Sequence, residues 1–423
     1  MRLVWRSCMV CALLASLAAD AVAQTPLTWS DVLARLRAAN PTLRAGAISV
    51  DEARTAETTG FLRPNPQLSV TDDQINLFGH PSDPWQNLIT VASVSYLRER
   101  RGKRELRLES AKLGTAIAAS AQADLQRTLT FGLRGAFVQL LQAKAFERLA
   151  IQNLSNYDQL LALSRVRMQA GDIAQIDLER LQLQRVQYES DLQVAHVNLR
   201  TAKIELLRLL NDPTPVDQFD VAGPFDFHPP AEGLDALRQQ ALSARPDLEA
   251  AVQAIDKAST DHRLAVANGS TDPTITVDAG LPRSPESYSP ALDQYVGVSV
   301  SVPLRIFDRN QGEKTRTALE VARASQIADA SRRQVLADVD AAYAALVSTV
   351  ALLQPYKTTY LDQATRVRDT VTFSYENGGA SLLDLLQAQQ EYRSVQITYV
   401  NLVAAFLNAA NQLDLAVGRE VIP

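Results

Sequence analysis

Few side chains in this sequence could do chemistry, and two of them stand in matched places. Asp177 and Asp384 each follow a glycine by six residues (Gly171 and Gly378), and about 207 positions separate the two copies. An aspartate that opens a helix offers a fixed negative charge, stabilised by the positive end of the helix dipole, rather than a reactive group. The histidines at positions 80, 196, 228 and 262 are scattered singly. No His-x-x-x-His pair, Gly-rich phosphate loop or G-x-S-x-G elbow occurs. The chain is not expected to be an enzyme, and no cofactor or resident metal is implied.

The elements that must hold these aspartates are long helices. In 167–184 (RMQAGDIAQIDLERLQLQ) and 374–391 (SYENGGASLLDLLQAQQE) a Pro-poor helical stretch breaks at the glycine, and a second helix opens at the aspartate. No proline lies between Pro84 and Pro213, so a helix from about Arg98 to Met168 would run roughly 105 Å. Its counterpart, from about Asp308 to Tyr375, contains Pro355 and should kink there. After the first turn, Leu178, Leu181, Arg185, Tyr188, Leu192, Ala195, Leu199, Ala202, Leu206 and Leu209 follow a 3-4 spacing that only Arg185 breaks. A second stripe (Ile176, Leu183, Val186, Val197, Ile204, Leu207) runs beside it, and Leu382 to Val417 repeats the pattern. A 3.5-residue period predicts left-handed coiled coils. Two stripes on one helix predict packing on both flanks, as in a cylinder wall; a soluble helical bundle would carry the same stripes.

The first residues read as an export signal over 1–23: basic Arg2 and Arg6, an apolar run from Cys8 to Ala19, and Ala21-Val22-Ala23 before Gln24. Both cysteines, Cys8 and Cys11, lie inside it, so no disulfide is expected after cleavage. The net charge of −5 is small and mixed along the chain, which argues against nucleic acid as a partner. Beyond the signal no apolar run approaches the ~20 residues of a membrane helix. A membrane crossing would therefore need a closed β-barrel.

Four segments could supply its strands: one beginning Leu68-Ser69-Val70-Thr71, then Leu88 to Tyr96, Thr274 to Leu281, and Tyr295 to Val302. The last two alternate apolar and polar residues, as a lipid-facing strand with a wet lumen requires and as a soluble sandwich also allows. Four strands cannot close a barrel of at least about eight, so three or more copies would share one. The expected order is a first repeat over 24–210, a Pro-, Gly- and Asp-rich crossover over 211–233, and a second repeat over 234–423. Asn40-Pro41 and Arg245-Pro246 mark helix starts.

Asn40-Pro41, Arg63-Pro64-Asn65-Pro66, Gly102-Lys103-Arg104, the stretch from Pro303 to Gly312 and the two Gly…Asp-Leu turns, in this order, resemble the TolC-type outer-membrane efflux proteins. The wording is most similar to members serving heavy-metal resistance. The resemblance implies a mainly α chain with four transmembrane β-strands and antiparallel coiled-coil hairpins in two repeats. It implies a homotrimer with a 12-stranded barrel in outer-membrane lipid and an α-helical tunnel in the periplasm. The helical turns would dock a periplasmic adaptor protein, joined to an inner-membrane pump of the resistance-nodulation-division type. Gly171, Asp172, Asp177, Gly378, Gly379 and Ala380 fall at that docking tip.

Asp384, with Gln387 and Tyr375, falls at the family's pore constriction, where three carboxylates would favour cations. Two departures stand out. Gln387 occupies a place where the family often has a second acid, and Ala380 a place where it has a basic latch. A type I protein-secretion duct or a non-pore periplasmic scaffold would fit much of the same sequence.

Overall fold

The computed structural model describes residues 26–73, 88–228, 232–282 and 294–421, together with Ile75, Ser82 and Trp85. The expected signal over 1–23 lies outside them, as does most of the two strand-linking loops. The described chain is mostly helical with one four-stranded antiparallel sheet. In order come α1 (Trp29–Ala39), α2 (Pro41–Phe61), β1 (Gln67–Asp73), β2 (Ile89–Leu97), α3 (Lys103–Ala170) and α4 (Gln175–Leu210). Then follow α5 (Leu234–Ala244), α6 (Pro246–Asn268), β3 (Thr274–Pro282), β4 (Tyr295–Ser301), α7 (Gln311–Pro355), α8 (Leu361–Glu376) and α9 (Leu382–Val417).

The chain divides into two compact units that do not follow its halves. One takes the residues up to Thr42, Arg127–Leu237 and Val339 onward; the other takes Leu43–Gln126 and Arg238–Asp338. Both X-Pro positions start helices as the sequence predicts, α2 at Pro41 and α6 at Pro246. Asn40 caps α2 by accepting the Thr42 amide at 2.9 Å, and its own amide group donates to the Leu209 carbonyl at 3.1 Å. Buried Arg245 precedes α6 and pairs with Asp247 (2.6 Å) and Asp338 (2.7 Å).

The sheet belongs to the second unit and runs β1-β2-β3-β4, so β2 of the first half pairs with β3 of the second. Its register sets Leu68 opposite Val94, Val94 opposite Val277 and Val277 opposite Val298. Side chains alternate along a strand, so these residues share one face with Val70, Leu281, Val296 and Val300. That face is apolar yet exposed, with Val296 at 77% and Leu68 at 72%. The opposite face carries Ser69, Ser93, Thr276, Asp278 and Ser299, and the Ser69 and Ser93 hydroxyls bond at 2.7 Å. On this side Gly297 lies against the Asp278 carboxylate, which a Cβ at that position would have to push aside.

In the first unit the predicted stripe of α4 is the buried one. Leu178, Leu181, Tyr188, Ala195 and Leu206 are core residues, whereas Ile176, Leu183, Val186, Val197 and Ile204 of the second stripe are exposed and its last member, Leu207, is buried. Arg185, the break in the first stripe, binds Asp158 on α3 and Glu189 one turn on. The crossover does more than run over the surface. Phe219, Val221 and Phe227 are buried, and the Phe227 ring meets Phe406 of α9 edge-on at 5.7 Å.

At Pro355, where the sequence predicts a kink, the chain passes through one π-helical turn, Tyr356–Tyr360, and continues as α8. Proline supplies no amide hydrogen, and a wider turn absorbs that missing bond. One sequence expectation needs correction: strands are not the only segments apolar enough for a membrane. By length and composition, Gln311–Glu376 and Leu382–Val417 each hold such a stretch. Half of the α9 stretch is buried inside the chain, as for a helix that packs on other helices, whereas 22% of the Gln311–Glu376 stretch is.

Candidate functional site

The two glycine turns have the same backbone. The Gly171 amide donates to the Met168 carbonyl (3.0 Å) and the Asp172 amide to Arg167 (2.9 Å). In the second turn Gly378 donates to Tyr375 (3.2 Å) and Gly379 to Ser374 (2.7 Å). This is a Schellman ending, which needs one residue with positive φ after the helix cap. Gly171 (φ 84°) and Gly378 (φ 75°) supply it. A Cβ at either would meet open space within 4 Å, so backbone conformation alone demands glycine there.

Beyond the turns the two aspartates part company. Asp384 and Ser381 form a reciprocal capping box. The Asp384 amide donates to Ser381 Oγ (3.2 Å), and the Ser381 amide (3.0 Å) and hydroxyl (2.7 Å) donate to Asp384 Oδ2. These bonds, the hydroxyl's foremost, hold the exposed Asp384 carboxyl below the usual aspartate range. Asp177 sits at the same place on α4, but Ala174 at the cap has no side-chain bond to offer, and Arg180 lies 3.8 Å away. Ser381-x-x-Asp384 is a legible capping signature, and sequence reasoning passed over it.

Asp384 and Gln387 share an exposed helix face, and Gln387 Nε2 donates to Glu391 Oε1 at 2.9 Å. A second acid therefore stands on this face one turn beyond the glutamine, a spacing visible in the sequence once Asp384 is placed. Tyr375 is not brought to that face. It is buried with Tyr157, Leu160, Leu161, Leu178, Leu181, Tyr188 and Leu385. Its side chain points into the hairpin core because the helix turns it away from the exposed side, and burial pushes its phenol pKa up. In the same core Tyr157 stacks on Tyr188 at 4.5 Å, and its hydroxyl donates to the Leu181 carbonyl at 3.0 Å.

Ala380 packs against this cluster, while Gly378 and Gly379 are exposed, as are Gly171 and Asp172. A basic residue does tie the turns together, from a place the sequence did not single out. Arg167, in the last turn of α3, reaches the end of α8. Among the described residues no group of three or more His, Cys, Asp or Glu side chains could hold a metal ion.

With this geometry in hand, residues 237–419 match the outer membrane efflux protein family. The cobalt-zinc-cadmium resistance protein CzcC of Cupriavidus metallidurans is 25% identical over 398 residues, covering 93% of this chain and 90% of that protein. The pyoverdine export outer membrane protein OpmQ of Pseudomonas aeruginosa is 25% identical over 336 residues, 77% of this chain and 69% of that protein. Among solved structures, CusC superposes with a TM-score of 0.77 at 19% identity, covering 92% of both chains. The outer membrane protein VceC of Vibrio cholerae gives 0.75 at 16%, covering 93% of this chain and 97% of that one. These structures share the fold.

Proposed function

We propose, on the premise that this chain belongs to the outer membrane efflux protein family, that it forms the outer-membrane exit duct of a tripartite efflux pump. The sheet carries this reading. It has an exposed apolar face, a polar face behind it, and two edge strands, β1 and β4, whose outer edges meet no further strand among the described residues. An unpaired edge in lipid is not tolerated, so β1 of one copy must meet β4 of another. Three copies supply twelve strands, enough to close a water-filled barrel. The exposed stripe of α4 then packs on a neighbouring copy in the periplasmic tunnel.

The two glycine turns form the periplasmic tip that meets the adaptor, and Asp384, Gln387 and Glu391 line the narrow end. Three copies of this face make stacked rings of negative charge that favour cations. The cargo is a small molecule or a metal cation; the relative named for cobalt, zinc and cadmium resistance supports the metal branch. The inner-membrane partner is a pump of the resistance-nodulation-division type.

The first test is fractionation of the exported protein, followed by planar-bilayer recording of the purified oligomer. Outer-membrane location, a trimeric mass and a cation-biased conductance support the duct. A soluble monomer without conductance returns the sheet to a periplasmic scaffold. Growth of a deletion strain on cobalt, zinc or cadmium then tests the cargo.

A further inference from the structure

Where β2 leaves for α3, the ten residues from Arg98 to Arg107 (RERRGKRELR) carry six cations against two carboxylates. Several of these cations are used internally. Arg107 grips Glu99 through two bonds (2.5 and 2.8 Å). Lys103 binds Asp272 (2.5 Å) and the Ser270 carbonyl (3.1 Å), and Arg100 binds Thr271 through its hydroxyl (2.7 Å) and carbonyl.

One cavity of about 550 Å³ is lined by Arg63, Arg98, Lys103 and Arg104 against two carboxylates, Glu99 and Glu105, so positive charge is in excess there. Arg63 and Arg98 are exposed, and no carboxylate among the described residues pairs with either. Arg104 lies over the Phe61 ring at 3.7 Å, and its nearest carboxylate, Glu105, is 4.0 Å away. Its Nε is buried without a hydrogen-bond partner. A buried donor left unbonded is costly, so this atom calls for an acceptor.

The same cavity is walled by Tyr96 and Ile275, which face each other across β2 and β3. By strand alternation both lie on the apolar face, in line with Val94, Val277 and Val298. A net positive charge thus opens onto the end of the apolar face nearest the cavity. An anionic head with hydrocarbon tails has this profile, and a free inorganic anion uses only half of it.

We propose that the Arg63–Arg98–Arg104 cavity binds the phosphate of a membrane phospholipid whose acyl chains lie along the apolar face of the sheet. The proposal rests on the outer-membrane reading. The cavity is at the strand ends from which the helices leave, so the lipid belongs to the periplasmic leaflet. Each cation near an anionic lipid surface gains about fivefold in affinity. Two such cations together give roughly 25-fold.

The test is a phosphatidylglycerol titration of the detergent-purified protein, followed by native mass spectrometry. Wild type should retain one lipid per chain, and a variant carrying Arg63→Gln and Arg98→Gln should bind about 25-fold more weakly. Neither side chain holds another element, so the variant should keep its oligomeric mass, and Arg63→Lys with Arg98→Lys should restore binding. Equal binding by wild type and the glutamine variant would overturn the proposal. So would displacement of the lipid by inorganic phosphate, which would make the cavity a free-anion site. Fractionation of the wild type is scored separately: a periplasmic location sinks the duct while the titration still judges the cavity.

Discussion

The guanidinium of Arg167 donates to the main-chain carbonyl of Tyr375 at 2.9 Å, and its Cζ lies 5.1 Å from the centre of that tyrosine's ring. The same carbonyl accepts the Gly378 amide at 3.2 Å. One side chain therefore joins the end of α3 to the glycine turn that ends α8. Arg167→Ala should loosen that turn by about 1.5–3 kcal/mol, the scale of a lost charged hydrogen bond. Amide exchange from Ser374 to Gly379 would accelerate, with the core amides of α9 unchanged. Unaltered exchange would show that the tie carries no load.

Gly171 and Gly378 test the tip. Each has positive φ in open space, so an alanine costs about 1–2 kcal/mol of backbone strain and no clash. A bulky β-branched residue should deform the turn further. Gly378→Val is expected to abolish efflux while the oligomer still reaches the membrane. Normal resistance with Gly171→Val or Gly378→Val would count against tip docking.

Asp384 gives a pH prediction with a defined sign. Its folded pKa lies below the ordinary aspartate value, so its capping contribution is complete above about pH 4 and lost as pH falls through the depressed value. Cation preference in a bilayer should accordingly hold from neutral pH down to about pH 4. Asp384→Asn should reduce that preference at every pH in this window. Ser381→Ala should leave the charge in place but raise the pH at which selectivity begins to fall. Identical selectivity profiles for all three proteins would remove Asp384 from the conduction path.

The sheet's two faces can be told apart by one charge. Val298→Arg on the apolar face should disfavour membrane insertion by about 2–4 kcal/mol if the site lies near mid-bilayer. Ser299→Arg, one residue along and on the polar face, should insert normally and alter conductance. Equal insertion of both would argue against lipid on the apolar side.

The buried tyrosine pair predicts a stability effect remote from transport. Tyr157→Phe removes the hydroxyl that donates to Leu181 and should cost about 1 kcal/mol, leaving the stack on Tyr188 in place. Leu181→Ala, at a fully buried position, should cost about 2–5 kcal/mol. Thermal unfolding followed by circular dichroism measures both, and a Leu181→Ala variant as stable as wild type would mean the hairpin core is placed wrongly.

Local chemistry was legible without the structure. Glycines at the turns, prolines at the starts of α2 and α6, alternation along β3 and β4, and the 3-4 stripes all act within a few residues, so their periods can be read directly. The sequence by itself therefore determined which segments are helix, which are strand, and where each hairpin turns. Tertiary structure decided what depends on partners distant along the chain. Tyr375 looked like a lining residue until its helix turned it into the core with Tyr157 and Leu181. Arg167 gained its part from a carbonyl 208 positions away. Of two similar apolar stripes on α4, only packing chose which to bury, because either satisfies the coiled-coil period. The pairing of β2 with β3 likewise joins the two halves through backbone bonds that no side-chain pattern announces.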